Sequence, residues 1–259
     1  MSVDLHNHTV LCNHATGTVE QYVQKAIEKK IKYFGFSDHA PMKYDPKYRM
    51  NFEQMQEYES SILDVKEKYK DSLHVLLAYE VDFLEGYIDE RVLKAKVDYL
   101  IGSVHFINKW GFDNPEFIGE YKNRDINKIW EEYFEAIEHL AKSRLFNIVG
   151  HIDLIKIFNF LPTRDIKTIA KKAIKEIKKA NMVVEINVAG YRKPVKEAYP
   201  SNDILEMLAE YNIPITFSSD AHKIEQIGFK KDEIHRLAKS YGYTKCAVFI
   251  EKEKIMVNF

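Results

Sequence analysis

The feature that most constrains this chain is a sevenfold alternation of short apolar runs with longer segments of helical period. The runs are "SVDLH" (2–6), "YFGFSD" (33–38), "VLLAYEVDF" (75–83), "DYLIGSVHF" (98–106), "FNIVGHI" (146–152), "MVVEIN" (182–187) and "PITFSSD" (214–220). They are apolar almost throughout rather than at alternate positions, the pattern of strands covered on both faces and therefore of a parallel sheet. The spacing predicts helices over 18–32, 51–70, 88–96, 124–143, 164–180, 201–211 and 230–241, with Thr18 capping the first, and a terminal hairpin over 246–259. No GxGxxG turn follows any of the strands, which argues against a dinucleotide-binding open sheet. The expectation is an α/β fold, a closed or nearly closed TIM-like barrel. Without a linker, repeat or low-complexity tract, residues 1–259 read as a single domain.

Charge sets the class of partner. The 38 basic and 39 acidic side chains nearly cancel, so no net field points to nucleic acid or to a membrane, and a small molecule is the expected ligand. Two cysteines are too few for a disulfide framework and suit a reducing compartment. No signal-peptide pattern or membrane-length apolar run is visible, and a cytoplasmic location is expected.

The ten histidines are not scattered. His6, His8, His39, His105, His151 and His222 fall at or just past the ends of predicted strands, and His14 lies in the loop after the first. In a parallel barrel these ends open on one face, where active sites are built. Carboxylates share the same ends: Glu80 and Glu185 stand alone, and Asp38 and Asp220 stand beside His39 and His222. Any one of these histidines, or an HxH by itself, is an ordinary occurrence; their convergence on one face is not. Imidazole and carboxylate together are the donor set for zinc, manganese or iron, and seven rings exceed what one ion can use, so two or three metals are expected. His74, His139 and His235 lie away from that face and are expected to be structural, and Cys12 a small buried residue.

Several divalent ions close together suit hydrolysis, above all of phosphate esters, whose transition state gathers charge on oxygens that metals and guanidinium groups can hold. Arg192 and Lys193 follow the sixth strand and Lys156 follows His151; Arg192 and Lys156 are the expected phosphate contacts. The irregular stretch 107–123 carries Trp110 and Phe112 around Asp113, and a connection of that length suits a lid.

The ordered set "HNH" (6–8), His14, "SDHA" (37–40), Glu80, "SVH" (103–105), "GHID" (150–153) and "SDAH" (219–222) resembles the polymerase and histidinol-phosphatase (PHP) superfamily. The segments "GSVHFINKWGFDNP", "GHIDLIKIF" and "EINVAGYRKPVKEAYPS" resemble its monofunctional histidinol-phosphatase branch. The resemblance spans essentially the whole chain and implies a distorted (β/α)7 barrel with a trinuclear centre. It implies His6, His8, Glu80 and Asp220 on a first ion, a shared Glu80 with His105 and His151 on a second, and His14, His39 and His222 on a third. It further implies hydrolysis of L-histidinol phosphate to L-histidinol and phosphate in histidine biosynthesis, with Asp220 and His222 handling protons, Arg192 and Lys156 the phosphate charge, and Asp113 the candidate partner of the substrate's amine. Two other readings stand beside it: a PHP phosphoesterase acting on nucleotides or oligonucleotide ends, and a non-catalytic metal-bound scaffold.

Overall fold

A computed structural model describes residues 3–259. Seven parallel strands form one sheet in the order β1 (Val3–Asp4), β2 (Tyr33–His39), β3 (His74–Asp82), β4 (Tyr99–Ser103), β7 (Ile148–Val149), β8 (Val183–Asn187) and β9 (Ile215–Ser218). Two further short strands, β5 (Phe106–Ile107) and β6 (Trp110–Gly111), form a separate antiparallel ribbon after β4. Each barrel strand pairs with the next barrel strand in sequence, as Val3 with Tyr33, Phe34 with Val75, Ala78 with Tyr99 and Val184 with Ile215. The first and last strands also meet: Leu5 N–H donates to the Phe217 carbonyl at 2.9 Å, and His8 N–H to that of Ala221 at 3.0 Å. The result is the nearly closed seven-stranded α/β barrel anticipated from the sequence.

β1, β4, β7 and β9 are shorter than their apolar runs, because the run continues into the mouth after the ladder ends, whereas β2, β3 and β8 match theirs to within a residue at each end. In β7, for example, only Ile148–Val149 of the expected 146–152 pair as strand. The outer layer holds α1 (Val19–Glu28), α2 (Met55–Lys68), α3 (Glu90–Leu93), α4 (Ile126–Ser143), α5 (Ile166–Lys179), α6 (Asn202–Glu210) and α7 (Lys231–Ser240). Local chemistry sets their ends. Thr18 and Gln21 form a reciprocal capping box on α1, whose far end stops well before residue 32 because Lys30 turns left-handed at φ 57°. Asn51 and Gln54 bind each other's backbone, so α2 starts at Met55 rather than 51. The hairpin β10 (Lys245–Ile250) with β11 (Glu253–Asn258) covers the region beside β9. No helix of the described residues is long and apolar enough to cross a membrane.

Candidate metal centre and active site

Every barrel strand delivers polar side chains to one mouth. Past β1, Asn7 bridges Ala221 in parallel fashion, which carries strand-like alternation beyond the ladder and turns His6 and His8 to the same side, their rings 5.0 Å apart. His39 ends β2 and Glu80 lies beside it in register on β3. His105 follows β4, His151 follows β7, and Asp220 and His222 follow β9. A close approach fixes His151: a Cβ on the preceding Gly150 would lie 2.2 Å from Ser103 Oγ, whose hydroxyl donates to Glu80 Oε1 at 2.6 Å.

Glu80 is the hub. Its Oε2 lies 3.3 Å from His6 Nε2, 3.8 Å from His8 Nε2 and 2.9 Å from His39 Nδ1; its Oε1 lies 2.9 Å from His151 Nε2 and 3.8 Å from His105 Nε2. Three groups of donor atoms are close enough to hold an ion: His6, His8 and Glu80; Glu80, His105 and His151; and His14, His39 and His222. Asp220 Oδ1 reaches His8 Nε2 at 3.3 Å, beside the first group. His6 Nε2, His8 Nε2 and His222 Nε2 are buried without a hydrogen-bond partner. Buried polar atoms are rarely left so, and cations at these positions would satisfy them; the donors fit a metal centre. A fourth combination, His8, Cys12 and His222, is also within reach, but the Cys12 thiol is pushed up by burial and donates to the Thr9 carbonyl at 3.1 Å, as befits a small buried residue.

The electrostatics divide the centre. Burial opposes charge throughout, yet His6 and His39 hold the Glu80 carboxyl well below the usual carboxylate range, and His6 and His8 do the same for Asp220. Against the same burial, Glu185 and Glu80 raise His6, the facing Asp220 and Asp38 carboxylates raise His8 to about 9, and Asp82 raises His105 to about 10. Burial wins on the other side, pushing His39 down to about 4 and His14 and His222 below their ordinary values, with His8 adding to the effect on His222.

Three carboxylates behind the rings had no role in the expected ligand set. Glu185 accepts from His6 Nδ1 at 3.0 Å, from His151 N–H at 2.7 Å and from Asn187 Nδ2 at 2.8 Å. Asp38 lies 3.2 Å from His8 Nδ1 and Asp82 lies 2.7 Å from His105 Nδ1. Each occupies one ring nitrogen and leaves Nε2 for the centre, the usual support of a metal-binding histidine. The signal was in the sequence: Asp38 adjoins His39, Asp82 is two residues past Glu80 on the same strand face, and Glu185 stands alone at a strand end.

Above the donors lies a pocket of about 600 Å³ lined by His14, His39, Glu80, His105, His151 and Asp220 on its floor. Asp113, Lys193, Tyr199, Phe117, Lys47 and Arg49 stand among its walls and rim. Arg192, the expected phosphate contact, is half-buried and is not among the residues lining the pocket, whose wall includes its neighbour Lys193. Its Nη2 donates to the carbonyls of Ser219 at 2.7 Å and Asp220 at 2.9 Å, holding Asp220 at a left-handed φ of 49°, while Nη1 has no partner. Lys156 departs from expectation. Its ammonium is buried against Glu197 Oε2 at 2.7 Å, the Ala198 carbonyl at 2.7 Å and Asp153 Oδ2 at 3.0 Å, which uses all three donors and keeps it out of the pocket wall. Its partner Glu197 is 41 residues away and could not be foreseen.

The stretch 107–123 is also more ordered than an irregular loop. After the ribbon β5–β6 it runs into 3-10 turns over Pro115–Asn123. Phe112 is fully buried and meets Tyr133 edge-on at 5.3 Å, and Trp110 packs on Tyr121 at 4.8 Å, so these aromatics anchor the segment while Asp113 to Phe117 rim the pocket. Burial raises the Asp113 carboxyl above its ordinary value, with His105 opposing. The three histidines expected to be structural lie elsewhere: His74 stacks on Tyr33, His139 faces Glu85 at 3.4 Å, and His235 packs on Phe217.

A parallel barrel with imidazoles and carboxylates converging at its C-terminal mouth defines a barrel enzyme of the metal-site class. Residues 4–189 match the PHP domain and residues 202–237 the PHP-associated region, and the chain belongs to the PHP family. It is 40% identical over 232 residues to a "Probable histidinol-phosphatase" of Deinococcus radiodurans, covering 88% of each chain. It is 26% identical over 258 residues to the "Histidinol-phosphatase" of Bacillus subtilis, covering 87% of this chain and 95% of that one. In three dimensions it resembles a histidinol phosphate phosphatase from Lactococcus lactis, solved with zinc, L-histidinol and phosphate, at a TM-score of 0.78 with 98% of both chains covered and 20% identity. That likeness shows a shared fold.

Proposed function

We propose that this chain hydrolyses L-histidinol phosphate to L-histidinol and phosphate, as a phosphomonoesterase of histidine biosynthesis. The observation that carries the reading is the Glu80 hub, which joins donor groups for separate ions beneath a pocket of small-molecule size. The names of the relatives from Deinococcus radiodurans and Bacillus subtilis support the same substrate. His6, His8, Glu80 and Asp220 would hold a first ion, Glu80, His105 and His151 a second, and His14, His39 and His222 a third, with zinc, manganese or iron each compatible with N and O donors. Divalent ions there supply a water of lowered pKa and neutralise phosphate oxygens.

The chain's own groups do the rest. Arg192 offers Nη1 to a phosphate oxygen while Nη2 keeps the Asp220 backbone in place. Asp220 accepts the water's proton, and His222, with Nε2 left for the third ion, faces that carboxylate from Nδ1 at 3.4 Å and orients it rather than taking a proton itself. Asp113, one of the residues lining the pocket, pairs with the substrate's amine. Lys156 is reassigned from phosphate contact to tying the segment 197–199 against Asp153. The whole chain works as one cytoplasmic domain on a small phosphate ester rather than on nucleic acid.

The test is phosphate release by the metal-loaded protein from L-histidinol phosphate against a panel of nucleotide monophosphates. A kcat/KM at least about tenfold higher on histidinol phosphate is expected, a preference of about 1.4 kcal/mol. A stronger nucleotide preference would replace this substrate with that of the other phosphoesterase reading. Release from no ester would leave the scaffold reading.

A further inference from the structure

Arg49 belongs to no strand end and to no motif that the site absorbs, yet it is buried to 5% exposure at the pocket edge. A buried guanidinium calls for acceptors, and it has them. Nη1 is hydrogen-bonded to Asp82 Oδ2, Nε donates to the Asp45 carbonyl, and Nη2 lies 3.5 Å from Asp45 Oδ2. The other oxygen of Asp82 is the one that meets His105 Nδ1 at 2.7 Å. One carboxylate is thus held from both sides, and the ring it orients turns Nε2 toward Glu80, 3.8 Å away.

The segment carrying Arg49 is fixed to the other side of the site as well. Asn13 Nδ2 donates to the Arg49 carbonyl at 3.0 Å and to that of Lys47 at 3.3 Å, and the neighbouring His14 meets the Tyr48 ring edge-on at 5.6 Å. Across the mouth, Lys47 pairs with Glu116 at 3.1 Å and Tyr44 OH donates to the Lys109 carbonyl at 2.6 Å. The segment 44–49 is therefore a strap that touches the His105 side, the His14 side and the 107–117 rim.

We propose that Arg49 is a positioning residue: through Asp82 it fixes the tautomer and orientation of His105, and so sets the affinity of the Glu80–His105–His151 group for its ion. Its guanidinium nitrogens are engaged by Asp82 and Asp45. A carboxylate with its second oxygen freed can rotate, and His105 then loses its fixed Nδ1 partner. Lysine in place of arginine keeps the charge but cannot reproduce the fork that holds Asp82 and Asp45 together.

The inference rests on the proposed metal-binding role of that group, and the experiment separates the two. Metal-depleted wild type, Arg49→Met, Arg49→Lys and Asp82→Asn are titrated with Zn²⁺ alone, and ring-nitrogen NMR reads the His105 tautomer once the ion is loaded. Arg49→Met and Asp82→Asn are expected to weaken one ion about 10- to 100-fold, with a mixed His105 tautomer, and Arg49→Lys to recover part of the loss. If Arg49→Met lowers the melting temperature while Zn²⁺ affinity and the His105 signal match wild type, Arg49 only folds the strap and the proposal fails. If the wild type itself binds no Zn²⁺, the metal-centre reading fails first. A variant too unstable to titrate is replaced by Asp82→Asn, whose unchanged affinity would equally overturn the proposal.

Discussion

The two sides of the centre use the same side chain under opposite electrostatics. On the inner side, His6, His8 and His105 each face a carboxylate behind the ring, and their pKa values rise, to about 9 for His8 and about 10 for His105. On the outer side, His14, His39 and His222 crowd one another, with ring centroids of His14 and His222 4.5 Å apart, and their values fall. Without ions the inner rings carry protons and the outer rings are neutral. An ion entering the inner groups must displace protons but gains carboxylate charge, whereas one entering the outer group meets neutral rings and has no carboxylate among its own donors. The inner pair should therefore bind more tightly and with a steeper pH dependence, and the outer position exchange more readily.

The largest break in this comparison is Glu80→Gln. Because Glu80 serves both inner groups, elemental analysis should find two ions lost together, with kcat down by at least about 10²–10³-fold. Loss of a single ion would mean that the inner groups are independent. Arg192→Ala comes next: kcat/KM should fall about 10²-fold with metal content unchanged, because Arg192 braces only the backbone of Ser219 and Asp220 while His6, His8 and Glu80 remain to hold the ion beside it. Depletion of metal in that variant would place Arg192 in the wrong role.

Asp38→Asn sharpens the contrast further. It removes a carboxylate from behind an inner ring, so it should weaken inner binding about 10- to 100-fold in a metal titration, while the outer ion's affinity stays put. The smallest effect is in pH. His8 and His105 have folded values above the ordinary 6.5, so in the metal-free protein their ion pairs contribute stability in full below pH 6.5 and lose it as pH rises through about 9 to 10. Ion binding strengthens over that window as fewer protons compete. The melting-temperature gain on loading should widen from pH 6.5 to 9, by about 2–4 °C for each kcal/mol; a gain that shrinks would reverse the assignment of charge to the inner rings.

Much of this was legible in the sequence because barrel strands covered on both faces are continuously apolar, and because a parallel barrel sends all its strand ends to one mouth. Seven runs became seven strands, and the histidines at their ends came together around Glu80. What sequence could not supply was partnership at a distance. Lys156 looks available beside His151 until Glu197 and the Ala198 carbonyl close on it. Arg49 lies in a polar loop with no periodicity, and only the fold brings it against Asp82. Strand ends run past the ladders for a related reason: residues such as 150–152 stay buried while leaving the ladder to line the mouth.

The most direct test of the central claim is phosphate release from L-histidinol phosphate by one preparation assayed as purified, after chelation, and after reloading with divalent metal. Activity abolished by chelation and restored on reloading, with ions counted at each stage, is the predicted result. Hydrolysis that persists undiminished in protein shown by elemental analysis to be free of metal would contradict it.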